Sequence, residues 1–320
     1  MAVKTLEKNS LLKYFEILKD KIFKIMLLNI IFFTVLSLLI FVAMGINYLV
    51  NMVFGQVYDF WAMFTFLPLI FLGPVTAAIM KMMRDYVREE PGFFLEDLKR
   101  AFKDNFKQSL IIGIIQYFVA WFIFIAIRFY YSGLEGGFFY TLGLGISIFV
   151  AIAFTVASYY LYMMTVTLKL KVKEIIKNSL IFTLLCLGKN ILLTIVLVIW
   201  IAINLMLTYL AIISGTGLVY GLVIAIYMVL TFGIIFYTIA FFTFPSIKKH
   251  ILDPYYEEHP EETSKSVLDK PKADEIDFNA VEKEKELPEF VYHNGKMVHR
   301  SALEEKSVFS DERLSSDDVD

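Results

Sequence analysis

Asn29, Asn47, Gln116, Asn190 and Asn204 stand in or beside the long apolar runs of this 320-residue chain, together with Trp61, Trp121, Trp200 and many tyrosines. Amide groups and aromatic faces are what a neutral solute such as a sugar can be held by, so one reading is a permeation path. The other is structural: in lipid, Asn and Gln join helices, while Trp and Tyr sit at the interfaces. A second group of candidates is Pro68, Gly73, Pro74 and Thr76, within "LPLIFLGPVTAAIM" (67 to 80). Each proline removes one N–H from a helix ladder and kinks it. The break is either a bend that lets helices pack or a discontinuous helix lining a polar cavity, with freed carbonyls bonded by Thr65, Thr76 or a neighbouring amide.

Most other chemistry is excluded. A charged side chain at mid-membrane costs about 3 kcal/mol and usually marks function, yet no Asp, Glu, Lys, Arg or His lies well inside the apolar runs. All four histidines (250, 259, 293 and 299) follow them, and Cys186 has no second cysteine to pair with. "TLLCLGKN" (183 to 190) lacks the glycine that would open a phosphate loop. No metal, no cofactor and no enzymatic activity are expected.

The elements that must position these residues follow from composition. The chain is 58% hydrophobic and 19% charged, a membrane composition. Apolar run lengths predict six transmembrane helices near 25–48, 58–82, 109–130, 138–166, 190–212 and 218–244, the last two joined by "SGTG" (214 to 217). The segment before the first span carries six Lys and Arg, the 81–107 loop seven and the 169–189 loop five, while the alternate loops together hold only Arg128. By the positive-inside rule both termini face the cytoplasm of a plasma-membrane protein. No secretory signal is expected, because Met1 to Lys24 is long and charged.

Basic amphipathic stretches precede the odd-numbered spans at 11–24, 94–107 and 173–189. Leu95, Leu98, Phe102 and Phe106 share one face in the second of these, which reads as a helix lying in the membrane plane. The expected fold class is thus an all-α membrane protein of six spans, with in-plane amphipathic helices on the cytoplasmic side and a disordered acidic C-terminal tail. The three hairpins form an approximate unit of element types, through repetition or through simple up-down topology. Asn105 and Lys107, and likewise Lys189 and Asn190, stand where such a stretch meets a span. They are candidates for contact with a partner, with capping and anionic lipid as the alternative.

The domain expectation is a segment 1–24, a membrane domain 25–247, a linker 248–286 and a tail 287–320. Residues 1 to 250 hold 21 Lys and Arg against 12 Asp and Glu, and the remainder 9 against 20. The basic charge is spread between spans, so no nucleic-acid partner is expected. Within the tail, Asn294-Gly295 is a strong hairpin signal. It would pair Tyr292 with Met297 and Val291 with Val298 and leave Phe290, Tyr292, Met297 and His299 on one face, either a transient turn or a strand that adds to a partner.

"LLN" (27 to 29), "LPLIFLGPVTAAIMKMMRDYVREEPG" (67 to 92) and "DLKRAFKDNFKQS" (97 to 109) resemble the YesL family of bacterial integral membrane proteins, classed as a domain of unknown function. The resemblance carries Leu67, Pro68, Gly73, Pro74, Thr76, Ala77, Ala78, Phe102, Asn105, Phe106, Lys107 and Gln108; the long acidic tail departs from the family pattern. It implies a plasma-membrane protein often encoded near sugar-uptake ABC transporters, and no known reaction. The expected function is accordingly an accessory or regulatory role in carbohydrate uptake, with membrane lipids and ABC transporter subunits or another cytoplasmic protein as partners. The alternative is a permease or channel for a neutral solute.

Overall fold

A computed structural model of the chain describes residues 10–55, 63–258, 290–293 and 296–299. Asn294, Gly295 and most of the linker and tail lie outside them. The chain divides into two compact units at Tyr255–Tyr256. The first is helical: α1 (Ser10–Phe54), a short 3-10 segment (Leu67–Phe71), α2 (Leu72–Val87), α3 (Phe94–Ser132), α4 (Phe138–Thr167), α5 (Val172–Leu185), α6 (Leu187–Ser214), α7 (Gly217–Ile226) and α8 (Phe232–Ile247). A π-helical turn, Tyr227–Thr231, joins α7 to α8, and a second, Lys248–Leu252, leads into α9 (Asp253–Glu258). Six helical segments are long and apolar enough to cross a membrane: Leu12–Phe54, Leu67–Val87, Phe94–Ser132, Phe138–Thr167, Leu187–Ser214 and Gly217–Glu257. In the second unit β1 (Phe290–His293) and β2 (Lys296–His299) pair antiparallel, with Tyr292 opposite Met297 and Val291 opposite Val298.

Two expectations need correction. Residues 11–24 and 94–107 are not separate in-plane helices but the opening turns of α1 and α3. Nothing breaks the ladder at either junction: neither proline nor glycine stands between Ser10 and Ala43, or between Phe94 and Ile112. At 1.5 Å per residue the 45-residue α1 is about 68 Å long, more than twice an apolar bilayer core. On α1 part of the apolar side meets protein, while Leu95 and Phe102 of α3 stay exposed. Tyr14 packs edge-on against Phe241, its hydroxyl lies 2.9 Å from Thr238 Oγ1, and Tyr237 donates to its carbonyl at 2.8 Å. Only α5, ended at Cys186, is a helix distinct from the span that follows.

The second correction concerns the prolines. The α-helix of the second span begins at Leu72, so Pro74 falls in its first turn, where its missing N–H has no intrahelical partner to lose. Pro68 likewise opens the 3-10 segment. The departure from α-geometry therefore lies at 66–71, ahead of the Gly-Pro pair. Gly73 does different work, letting two backbones touch. A Cβ there would stand 2.5 Å from the Ser109 carbonyl oxygen and 3.1 Å from Gly113 Cα; one at Gly113 would stand 2.8 Å from the Ile70 oxygen. Gly73 with Ala77 and Ser109 with Gly113 form facing small-residue pairs four apart, the pattern of close helix crossing in membranes.

Span two becomes the bundle's axis. Half of its most apolar window is buried inside the protein, against 11–22% for the other five. Ala77, Ile79, Met80 and Met83 pack in one cluster with Ile25 and Leu28 of α1, Tyr160, Met163 and Met164 of α4 and Tyr237 of α8. The fifth and sixth spans close through Gly215, whose left-handed φ of 61° ends α6. Gly73→Ala should lower the thermal unfolding temperature of the detergent-purified protein, at about 1–3 kcal/mol for the overpacking. Gly145→Ala, where no atom lies within 4 Å of the added carbon, should leave it unchanged or raise it.

Candidate functional site

Three of the amides in the spans, Asn29, Asn190 and Asn204, donate to backbone carbonyls. Asn29 of α1, 1% exposed, reaches the π-turn of the sixth span. Its Nδ2 donates to the carbonyls of Tyr227 (2.9 Å) and Met228 (2.6 Å), and its Oδ1 accepts from the Gly233 N–H at 2.6 Å. A π-turn widens the ladder by one residue and leaves such groups without regular partners; one amide satisfies three of them. On the other flank Trp200 Nε1 donates to the Thr231 carbonyl at 3.2 Å, and Thr231 Oγ1 donates to Asn204 Oδ1 at 2.8 Å. The sequence offered no sign of this break, since residues 227–231 contain neither proline nor glycine.

Asn190, a candidate partner contact, is buried. It accepts from the Tyr160 hydroxyl at 2.6 Å and donates to the carbonyls of Phe182 and Thr183, closing the end of α5. Gln116 donates to Ser158 Oγ at 3.1 Å and ties α3 to α4. Of the remaining candidates, Asn105 turns back on its own helix at the Ala101 carbonyl, Lys107 is exposed, and Lys189 lies 3.5 Å from Ser246 Oγ. Pro68 and Thr76 are half-buried, while Gly73 and Pro74 are buried. Within the helical unit these candidates do not converge. Among the described residues no cluster of three His, Cys, Asp or Glu could hold a metal ion.

What converges is a charged turn between α2 and α3 that the sequence reading quoted but did not single out. Helix α2 ends in a two-bond cap: the Glu89 N–H meets the Tyr86 carbonyl at 3.0 Å, and the Glu90 N–H the Asp85 carbonyl at 2.9 Å. That cap requires a left-handed residue, and Glu89 supplies it at φ 57°. The turn is then pinned by charge. Arg84 donates to Asp85 Oδ1 through Nε (2.9 Å) and Nη2 (2.7 Å), and through Nη1 to the Val166 carbonyl of α4. Arg88 pairs with Glu90 at 2.6 Å and stacks over Phe244 of α8, and Lys13 of α1 meets Glu89 at 3.0 Å. Gln108 donates to the Leu170 carbonyl at 2.5 Å, which adds the α4–α5 connection. Five helices and a linker thus meet at one end of the bundle. Beside the turn lies a cavity of about 160 Å³ lined by Lys24, Asp85, Tyr86, Glu90, Phe94 and Asp97, among others. The available signal was local: five charges between 84 and 90, followed at once by Pro91-Gly92.

Fold and site together define a multi-pass helical membrane protein with a polar, ion-paired turn at one end. Residues 50–127, which contain the broken second span, the charged turn and most of α3, match the model of a family described as "Protein of unknown function, DUF624". The match agrees with the YesL-like resemblance and covers less than half of the chain. Neither the curated proteins nor the solved structures gave a match.

Two outcomes follow. Asn29→Ala should cost about 1–3 kcal/mol, the penalty of buried backbone groups left unbonded, read as a lower thermal unfolding temperature in detergent. Burial raises the Glu90 carboxyl against the lowering pull of Arg88. A raised carboxyl stabilises the fold below the unfolded-state pKa, and that stability is lost as pH rises through the folded-state value. Glu90→Gln should therefore be at least as stable as wild type at neutral pH, and the difference should close as the pH falls into the carboxylate range.

Proposed function

We propose that this protein is a non-enzymatic accessory component of carbohydrate uptake in the plasma membrane. Both termini face the cytoplasm, and a partner is engaged at the charged end of the bundle and through the tail. The observation that carries the reading is the use made of the amides: Asn29, Gln116, Asn190 and Asn204 bond backbone or hydroxyl groups of their own chain. A sugar pathway would need such groups free to exchange with a solute. The link to carbohydrate rests on the YesL-like resemblance, and the orientation on the distribution of Lys and Arg.

Affinity purification from membranes, with and without residues 287–320, tests the partner. The full chain should co-purify transporter subunits or another cytoplasmic protein that the shortened chain recovers poorly, and identical recoveries would reject the tail's part in it. A permease for a neutral solute is favoured by one feature only, the non-α stretch at 66–71 in the second span. Liposomes of pure protein should show no sugar flux above empty vesicles, and a saturable flux would reverse the order of the two readings.

A further inference from the structure

Tyr86 presents an unusual debt. Its side chain is 4% exposed, and its hydroxyl is a buried group without a hydrogen-bond partner among the described residues. A buried phenol left unbonded is destabilising, and buried tyrosine hydroxyls usually find a partner. Tyr86 also lines the cavity beside the charged turn, where two more groups are uncommitted. Asp85 and Glu90 are each held by an arginine, but neither Asp97 nor Lys24 makes an ion pair among the described residues. Lys24 stands 6.0 Å from the Tyr86 ring. Asp97 lies across the turn, its Oδ2 only 2.3 Å from where a Cβ on Gly92 would be, so the glycine makes room for the carboxylate.

We infer that this cavity is a binding site for a compact zwitterion bearing a primary ammonium and an anionic group, the chemistry of phosphoethanolamine. The ammonium bonds the Asp97 carboxylate and the Tyr86 oxygen, and the anion meets Lys24. Each uncommitted group then acquires a counterpart of the right kind, and the lining remains neutral when filled. Size is close: a closed cavity of about 150 Å³ admits a molecule of some six heavy atoms, and this one, about 160 Å³ and open on one side, can take the eight of phosphoethanolamine with its anionic end toward the opening. Location agrees as well. Lys24 directly precedes the apolar run of α1 and Tyr86 lies just past that of α2, which Lys81 closes, near the level at which lipid head groups meet a membrane protein. A quaternary choline has no N–H to donate and should be refused.

The source of the zwitterion is a phosphatidylethanolamine head group or the free compound. Native mass spectrometry of the full chain, extracted from nanodiscs of equal phosphatidylethanolamine and phosphatidylcholine, addresses the lipid. Thermal shift in lipid-free detergent with added phosphoethanolamine addresses the soluble ligand. Selective retention of the ethanolamine lipid, or stabilisation by phosphoethanolamine but not phosphocholine, supports the site and names its source. In whichever arm responds, Asp97→Asn and Lys24→Gln should weaken binding about tenfold, as for one lost charge-assisted bond, and Tyr86→Phe by less. Lys173→Gln, a like change of charge at an exposed position of α5 away from the cavity, should have no effect. No preference in either arm, or binding undiminished in Asp97→Asn and Lys24→Gln, would overturn the inference.

Discussion

A backbone N–H or C=O in hydrocarbon has no water to turn to, and every one must be bonded within the protein. That requirement organises this molecule. At three breaks or ends of helices, a side chain stands opposite the freed backbone groups. The π-turn at Tyr227–Thr231 is met by Asn29 from one side and by Trp200 from the other. The carbonyls released where α5 stops at Cys186 are met by Asn190. At the start of the second span the Tyr117 hydroxyl of α3 donates to the Met63 carbonyl. Polar residues are few in the spans because each is costly there, and Asn29, Tyr117, Asn190 and Trp200 are committed to these repairs.

The repairs also fix how helices meet. Asn29 can bond the sixth span only because α1 and α8 approach closely at Gly233, where a Cβ would lie 3.0 Å from the Ile25 carbonyl oxygen. The Gly73–Gly113 contact does the same for the second and third spans, placing α2 at the bundle's axis. From there its end projects the charged turn among α1, α3, α4 and α8. The ion pairs at that turn are partly exposed and contribute little stability one by one. Their joint effect is positional: they hold a left-handed Glu89 and a buried Tyr86 beside a polar cavity.

Much of the fold was legible in the sequence because apolar run length is a strong signal. The six spans and the Gly215 turn follow from it directly. Other features depend on what a segment faces. An amphipathic period looks the same whether its apolar side meets lipid or protein, which is why 11–24 read as an in-plane helix although Tyr14 packs against Tyr237 and Phe241. Proline is a breaker only inside a helix, and the sequence could not tell that α-geometry begins at Leu72. The π-turn carried no local mark at all, since its cause, Asn29, lies 198 residues away from Tyr227. The charged turn was visible as composition, but the orphaned hydroxyl of Tyr86 exists only in three dimensions.

The account stands on the claim that polar groups inside the spans tie helices together and do not line a wet path. Amide hydrogen exchange across residues 227–233, followed by mass spectrometry on the protein in lipid nanodiscs, addresses it most directly. Protection equal to that of the neighbouring turns of α8 is the predicted result, because the Gly233 N–H is held by Asn29. Exchange there within seconds, while the flanking helix stays protected, would mean that water reaches the π-turn, and would contradict the account.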